Sequence, residues 1–139
     1  MTMIMMKRQL LIGKAHWQEI LAYVQQHAPL EACGLLAGKD GRVENVIFVR
    51  NQVQSRVRFV MDPYEQLKAF DWIESNEMDL LGIFHSHPAG PEGASTTDIA
   101  EAAYEVIHVI LSRKQNGWQA LGFWIKDGKA TEVPLQIVE

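Results

Sequence analysis

Apolar residues recur along the chain at two spacings, which separate the predicted helices from the predicted strands. In HWQEILAYVQQHA (16–28) they fall three or four positions apart and a proline follows, which predicts a first helix. DPYEQLKAFDWIESNE (62–77) predicts a second helix, because Asp62 suits the N-cap and Pro63 suits the first helical position. STTDIAEAAYE (95–105) opens a third helix.

Shorter apolar runs, several of them rich in β-branched residues, predict strands. KDG at 39–41 and again at 126–128 joins two such runs, and Asp-Gly favours a tight hairpin turn. Strands and helices are interspersed, with hairpins towards both ends, which predicts a single α+β domain over residues 1–139 around one mixed β-sheet. The predicted strands are RQLLI (8–12), ACGLLAG (32–38), RVENVIFVRN (42–51), RVRFV (56–60), DLLGIFHSH (79–87), VIHVILS (106–112), GWQALGFWI (117–125) and KATEVPLQIV (129–138).

Composition and charge mainly exclude classes of partner and location. The 139 residues fit one domain, and a formal net charge of −4 without clustered lysine or arginine argues against nucleic-acid and anionic-membrane partners. No apolar run approaches the roughly 20 residues that span a membrane, and the start, MTMIMMKRQLL, lacks the order of a signal peptide. A lone cysteine, Cys33, allows no internal disulfide, so we expect a cytoplasmic protein.

Two histidines end the predicted strand DLLGIFHSH. Alternate side chains of a strand share a face, so His85 and His87 point the same way and Ser86 points the opposite way. Neutral imidazoles at this spacing are able to converge on one metal ion. Two polar residues at a strand end explain the pattern equally well, so the spacing alone leaves both interpretations open.

The next polar motif is STTD, which has the pattern of a helix capping box. Ser95 is the predicted N-cap and Asp98 falls in the first turn. A loop over 88–94 would be able to fold this carboxylate back over the histidines, which would make Asp98 a third metal ligand. Three protein ligands with one open position is the pattern of catalytic zinc, whereas structural zinc has four protein ligands.

A hydrolytic metal site also needs a general base, and three acids are candidates: Glu31, Glu92 and Asp62. Glu31 precedes an apolar strand, where burial would raise the pKa of its carboxyl into a useful range. An exposed loop acid is the alternative for Glu31. The residue pattern does not choose between the three.

Together these segments resemble a known family. HSHPAGPEGASTTD (85–98) resembles the His-x-His-Pro-x6-Ser-x-x-Asp signature of the JAMM (MPN+) zinc metalloproteases. PLEACGLLAG (29–38) resembles the family's Glu-x-Cys-Gly-x-x-x-Gly strand, and RFVMDPYEQLKAF (58–70) resembles its Phe-x-x-Asp-Pro-x-Glu segment. DLLGIFHSHP (79–88) resembles the strand that leads to the histidines. The segments follow the family's order over most of the chain.

The resemblance implies a role for each matching residue. His85, His87 and Asp98 would hold one Zn²⁺ per chain, with water as the fourth ligand. Glu31 would be the general acid/base, and Ser95 would help to stabilise the oxyanion. The implied fold is like that of cytidine deaminases, a sheet flanked by helices, but the deaminases' own Pro-Cys-x-x-Cys signature is absent from the sequence.

The compact prokaryotic members of this family suggest the substrate. We expect hydrolysis of a peptide or isopeptide bond after the Gly-Gly tail of a ubiquitin-like sulfur-carrier protein. A narrow tail would be able to add along a sheet edge, near the loops 51–58 and 89–94. The alternatives are a non-catalytic MPN-type protein-binding module and the hydrolysis of a small amide. By ligand type the site would also suit iron or cobalt, and the closing hairpin is an alternative contact for a homodimer.

Overall fold

The computed structural model describes residues 9–139. The segment 1–8, which covers most of the stretch inspected for a signal peptide and the first residue of the first predicted strand, lies outside the described residues. Within the described range the chain forms eight strands and three helices. They are β1 (Leu10–Gly13), α1 (Lys14–His27), β2 (Cys33–Lys39), β3 (Arg42–Val49), α2 (Pro63–Ser75), β4 (Asp79–His87), α3 (Thr96–Glu101), β5 (Ile107–Lys114), β6 (Gly117–Lys126), β7 (Lys129–Val133) and β8 (Leu135–Val138).

All the strands of the described range join one mixed sheet, in the order β7-β6-β5-β4-β2-β3-β1-β8. Strand β4 lies near the middle, antiparallel to β2 and parallel to β5, and α3 lies in the connection from β4 to β5. The predicted α+β fold around one mixed sheet is therefore confirmed. The carboxyl end of β4, where the two histidines lie, is held between two neighbouring strands.

Helices α1 and α2 pack on opposite faces of the sheet. Ile20 and Val24 of α1 belong to a core that includes Phe84 of β4, whereas Ala69 and Ile73 of α2 belong to a second core. Alternation along the strands sends neighbouring residues into different cores. This arrangement confirms the predicted sheet flanked by helices.

The local turn and cap signals hold. At the first Asp-Gly turn, Asp40 and Gly41 have φ of 53° and 78°, and Asp127 and Gly128 repeat this with 53° and 75°. Two successive positive φ angles characterise the hairpin turn that Asp-Gly favours. At the start of α2, the Asp62 carboxylate accepts from the backbone N–H groups of residues 64 and 65, as an N-cap does.

The predicted strand RVRFV (56–60) is wrong, because in the described chain this segment pairs with a side chain instead of a strand. The side-chain amide of Asn51 donates to the Arg58 carbonyl at 3.1 Å, and its oxygen accepts from Val60 N–H at 3.0 Å. Strand-type pairing is limited to one isolated bridge between Asn51 and Met61. The β-branched residues of the segment therefore belong to a loop, in which Val57 is 73% exposed.

Only the first half of the predicted closing strand, residues 129–133, forms the predicted hairpin. KATEVPLQIV (129–138) splits at Pro134: β7 pairs with β6, but β8 runs parallel to β1 at the other end of the sheet order. Proline has no N–H to continue the ladder, while its carbonyl accepts from Leu10 N–H at 3.2 Å. Since a single residue separates β7 from β8, the two ends of the sheet order meet there.

Among residues 9–139, the structure contains no helix with both the length and the apolar character that crossing a membrane requires.

Candidate metal centre and active site

His85 and His87 occupy the last three positions of β4 together with Ser86. Both imidazoles are buried, with side-chain exposures of 1% and 2%. Strand alternation turns both rings to the same side, so that their Nε2 atoms lie 3.0 Å apart. Ser86 points the other way, and its hydroxyl oxygen accepts from the N–H of Ala32 at 2.9 Å. The alternation of the sequence thus pairs the two rings as predicted.

Asp98 is delivered to the same point by the capping box of α3. The Ser95 hydroxyl accepts from Asp98 N–H at 3.0 Å, and the Asp98 carboxylate accepts from Ser95 N–H at 2.9 Å. The carboxylate oxygens lie 3.1 Å from His85 Nε2 and 3.1 Å from His87 Nε2. The structure therefore brings the three predicted ligands together within hydrogen-bond distance.

These contacts place electron pairs against one another. His87 Nδ1 lies 2.8 Å from the Pro91 carbonyl oxygen, which can only accept, so Nδ1 carries the proton and Nε2 presents a lone pair. That lone pair faces an Asp98 oxygen and the Nε2 of His85. A cation placed between these atoms would satisfy all of them. The Nε2–Nε2 distance of 3.0 Å and the Nε2–carboxylate distance of 3.1 Å are close to the distance of about 3.3 Å between two ligand atoms of a tetrahedral zinc site. The donor set fits a metal ion.

Glu31 faces the same cluster from the segment that leads into β2. The residue is 3% exposed, and one carboxylate oxygen, Oε1, has no hydrogen-bond partner within the described range of the chain. One ligand atom each from Glu31, His85 and His87 lies within 4.8 Å of the others. Two carboxylates thus accompany the imidazoles. Asp98 is the one with oxygens 3.1 Å from both rings, which favours Asp98 as the ligand and leaves Glu31 beside the site.

The backbone around Glu31 is fixed although it is not part of a strand. Glu31 N–H donates to the Ser55 carbonyl at 2.8 Å, and the Glu31 carbonyl accepts from the Asn51 side chain at 3.0 Å. Ser86 closes a two-way contact with Ala32, donating its N–H to the Ala32 carbonyl at 3.0 Å. Glu31 is therefore anchored on one side by loop 51–58 and on the other by the residue between the two histidines.

Burial and mutual contact shift the pKa values of the cluster. Burial raises the pKa of Glu31 to about 7. Burial lowers the pKa of His85, and Asp98 offsets this only in part. For His87, burial is outweighed by the Asp98 and Pro91 contacts, which raise its pKa. Burial is likewise outweighed at Asp98, where the contacts with the two imidazoles hold the pKa of the carboxyl well below its usual range. Asp98 is therefore ionised and Glu31 is suited to exchange a proton near neutral pH.

The structure distinguishes the three acids that the sequence offered as candidates for the general base. Asp62 caps α2 and pairs with Arg50, and Glu92 is an exposed residue that pairs with Lys114. Only Glu31, of these three described acids, belongs to the buried cluster.

Two further buried residues lie outside the ligand cluster. Cys33 is fully buried, its thiol contacts the Val49 carbonyl at 3.3 Å, and burial raises its pKa to about 12. His108 is a buried sheet histidine whose Nε2 lies 3.4 Å from the Tyr104 carbonyl. Neither belongs to the cluster of donors.

Two residues that support the site were not predicted from the sequence. Asn51 is 6% exposed and joins Glu31 to the loop that follows β3. Phe59 stacks on the ring of His85, with centroids 4.4 Å apart and planes inclined by 25°. A buried asparagine two residues after a strand is a weak signal, because its contact with Glu31 spans 20 residues of sequence. Nothing in the apolar pattern marks Phe59 as a neighbour of the histidines.

Comparisons with known proteins agree with this geometry. The family model for prokaryotic homologs of the JAB domain matches residues 13–124. A desampylase of Pyrococcus furiosus is 39% identical over 105 residues, covering 75% of each chain. A CysO-cysteine peptidase of Mycobacterium tuberculosis is 33% identical over 124 residues, covering 86% of this chain and 85% of that one. A solution structure of a Desulfitobacterium hafniense protein superposes with a TM-score of 0.84 at 36% identity, covering 94% of this chain and 93% of the other. The chain therefore belongs to the family of prokaryotic homologues of the JAB domain, the compact branch of the JAMM (MPN+) metalloproteases that its motifs resemble.

Proposed function

We propose that this protein is a zinc-dependent peptidase or isopeptidase that cleaves after the Gly-Gly tail of a ubiquitin-like sulfur-carrier protein. The observation that carries the proposal is the convergence of His85 Nε2, His87 Nε2 and the Asp98 carboxylate within 3.1 Å of one another, beside a buried glutamate. Relatives named desampylase and CysO-cysteine peptidase support a substrate of this class.

His85, His87 and Asp98 would hold one zinc ion, which would supply a Lewis acid for water and for the scissile carbonyl. Contacts within the chain already fix the orientation of each of these ligands. The Pro91 carbonyl fixes the tautomer of His87, Phe59 holds the ring of His85, and the cap of α3 holds Asp98. Contacts of this kind, which orient a ligand without touching the metal, strengthen metal sites in proteins.

Glu31 would act as the general base and then as the general acid. Its carboxylate takes a proton from the attacking water while the water oxygen bonds to the carbonyl carbon. As the C–N bond breaks, the proton passes from Glu31 to the leaving nitrogen, which gives a carboxylate and an amine. A pKa of about 7 suits both transfers, and the fixed backbone at residues 31 and 32 keeps the carboxylate in place.

Ser95 would stabilise the oxyanion of the tetrahedral intermediate. Its hydroxyl oxygen accepts from Asp98 N–H, which leaves the hydroxyl hydrogen available for donation. Ser95 would not need to be a nucleophile, because the two neighbouring histidines would be engaged as ligands.

The substrate would enter as an extended tail. The site lies at the end of the interior strand β4, which already pairs with β2 and β5. A tail would therefore lie against the loops 51–58 and 89–94, which anchor Glu31 and His87 respectively. Two glycines would allow the backbone to approach closely, because glycine has no side chain.

The test uses a ubiquitin-like protein ending in Gly-Gly, fused through a peptide bond or an isopeptide bond to a reporter peptide. The zinc-loaded wild type is expected to release the reporter, and a chelator is expected to abolish release. Glu31→Gln should retain zinc and bind the fusion but lower kcat by at least about 100-fold. Glu44→Gln, which alters an exposed acid of β3 outside the loops that would contact the tail, is the matched control and should behave as the wild type. Binding of the fusion without release by the zinc-loaded wild type would contradict the enzymatic proposal and indicate a binding module.

A further inference from the structure

A cavity of about 390 Å³ opens directly beside the ligand cluster, with His85 and Asp98 in its wall. It lies between the end of loop 51–58, the start of α2 and the chain that follows α3. Its volume is within the range of pockets that bind small molecules or single side chains. Its apolar lining includes Phe59, Met61, Ile83, Ala102 and Tyr104.

We propose that this cavity selects a bulky apolar side chain on the residue that immediately follows the scissile bond. The inference rests on the proposed function and specifies its leaving group. A Gly-Gly tail has no side chains on the cleaved side, so the nearest substrate side chain belongs to the residue after the bond. An extended chain advances about 3.3 to 3.6 Å per residue. A cavity that shares its wall with two ligands is therefore within reach of that residue.

The lining explains why the side chain would be apolar. Met61 and Ile83 are 7% and 5% exposed and belong to the core beneath the cavity. Tyr104 is 38% exposed, so a side chain in the cavity would cover apolar surface on both partners. Burial of apolar surface on both sides favours binding.

The charged groups of the cavity already have partners. Arg58 and Glu101 form an ion pair at 3.2 Å across its lining, and His108 contacts the Tyr104 carbonyl. An acidic or basic side chain entering here would lose hydration or displace the existing pair. The cavity therefore disfavours charge as well as favouring apolar bulk.

The experiment measures cleavage of a ubiquitin-like protein ending in Gly-Gly-X and followed by a short neutral peptide. The wild type is expected to give kcat/KM values roughly ten- to a hundredfold higher for X = Leu, Met or Phe than for X = Ser or Asp. Equilibrium binding of the same fusions to Glu31→Gln gives a readout that does not depend on turnover, and the Kd values should follow the same order.

Filling the cavity should reduce this preference. Ala102→Phe is expected to lower kcat/KM for X = Leu or Phe by about tenfold while leaving X = Ala nearly unchanged. Ala103→Phe, at an exposed position of the same wall, provides a second variant if Ala102→Phe folds poorly. Ala100→Phe is the matched control, since Ala100 is exposed on α3 and does not line the cavity.

Three outcomes would overturn the inference, and they are distinguishable. Active cleavage and binding that are indifferent to X would contradict the cavity's role while leaving the proposed function intact. If the wild type cleaves a lysine isopeptide faster than any Gly-Gly-X fusion, and Ala102→Phe slows only that reaction, the cavity would bind the aliphatic part of a lysine side chain instead. If the zinc-loaded wild type cleaves none of the fusions, the proposed function fails, and the inference fails with it.

Discussion

Asn51 donates a hydrogen bond from its side-chain Nδ2 to the carbonyl oxygen of Glu31 at 3.0 Å. The same amide nitrogen reaches the Arg58 carbonyl at 3.1 Å, and the side-chain oxygen accepts from Val60 N–H at 3.0 Å. One buried side chain therefore connects the proposed general base with the loop that leads to Phe59 and the cavity.

This arrangement predicts that Asn51 is a positioning residue. Asn51→Ala should leave four backbone groups, those of residues 31, 53, 58 and 60, without their side-chain partner and lower the free energy of unfolding by about 2–4 kcal/mol. Asn51→Asp preserves the shape and the acceptor but removes the donor, so it should still lower kcat by about tenfold or more with bound zinc retained. Urea unfolding, kinetics and metal analysis measure the three effects.

Asn45→Asp is the control, because Asn45 lies on β3 opposite Ala37, outside the loops that would contact the tail. A variant Asn51→Asp with wild-type kcat and an unchanged pH profile would show that the amide donor to Glu31 does not influence the base.

Of the chain's histidines, only His85 and His87 should affect the metal content. We expect near one zinc per chain in the wild type and near none in His87→Ala, because His87 supplies one of the three converging donors. His16→Ala should keep its zinc, since His16 is a partly exposed residue that pairs with Glu19 on α1. Plasma emission spectroscopy on proteins purified without a His tag gives the ratio.

A wild-type protein that fails to take up zinc even from excess metal would contradict the assignment of the ligands. So would a His87→Ala variant that binds as much zinc as the wild type.

Glu31 should make the stability of the chelator-treated protein depend on pH. Its pKa is raised from 4.5 to about 7 by burial, so the native state holds a proton that the unfolded state releases between these values. The unfolded state therefore becomes more stable relative to the native state as pH rises from about 4.5 to about 7. Relative to Glu31→Gln, the wild type should lose up to about 3 kcal/mol over this interval and change little above it.

Chemical unfolding of both proteins at a series of pH values measures the difference. Taking the difference removes most of the contribution from the histidines and Asp98, which both proteins share. A gap that stays constant from pH 4.5 to pH 7.5 would mean that Glu31 titrates normally and is not held in a desolvated position.

Ser95 should have a catalytic effect beyond its role as a helix cap. Ser95→Ala removes the acceptor for Asp98 N–H and should lower the free energy of unfolding by about 1 kcal/mol. Loss of the proposed oxyanion donor should lower kcat by about 100-fold. Thermal unfolding and steady-state kinetics on the zinc-loaded protein measure both.

Asp62→Ala is a matched control, because Asp62 caps α2 in the same way. It should cause a similar loss of stability with little change in kcat. Equal losses of activity in the two variants would assign Ser95 a structural role alone.

Much of the site follows from local sequence rules. Alternation along β4 puts His85 and His87 on one face whatever the rest of the chain does, because successive strand side chains point to opposite sides. The capping box fixes Asp98 against Ser95 through bonds between residues three positions apart. The Asp-Gly turns and the Asp62 cap are equally local, which is why the corresponding predictions are confirmed.

The remaining features required contacts between segments that are distant in sequence. Glu31 enters the site because β2 pairs with β4 in a register that sets Cys33 opposite His85, which brings the preceding residues to the histidines. Contacts between separate segments also explain the two wrong strand predictions. Residues 56–60 bond to the Asn51 side chain instead of to a strand, and β8 pairs with β1 instead of with β6. Local patterns fix which way a side chain points from its own strand or helix. Burial, and therefore the raised pKa of Glu31, depends on which distant segments pack around it, and only the tertiary structure decides that.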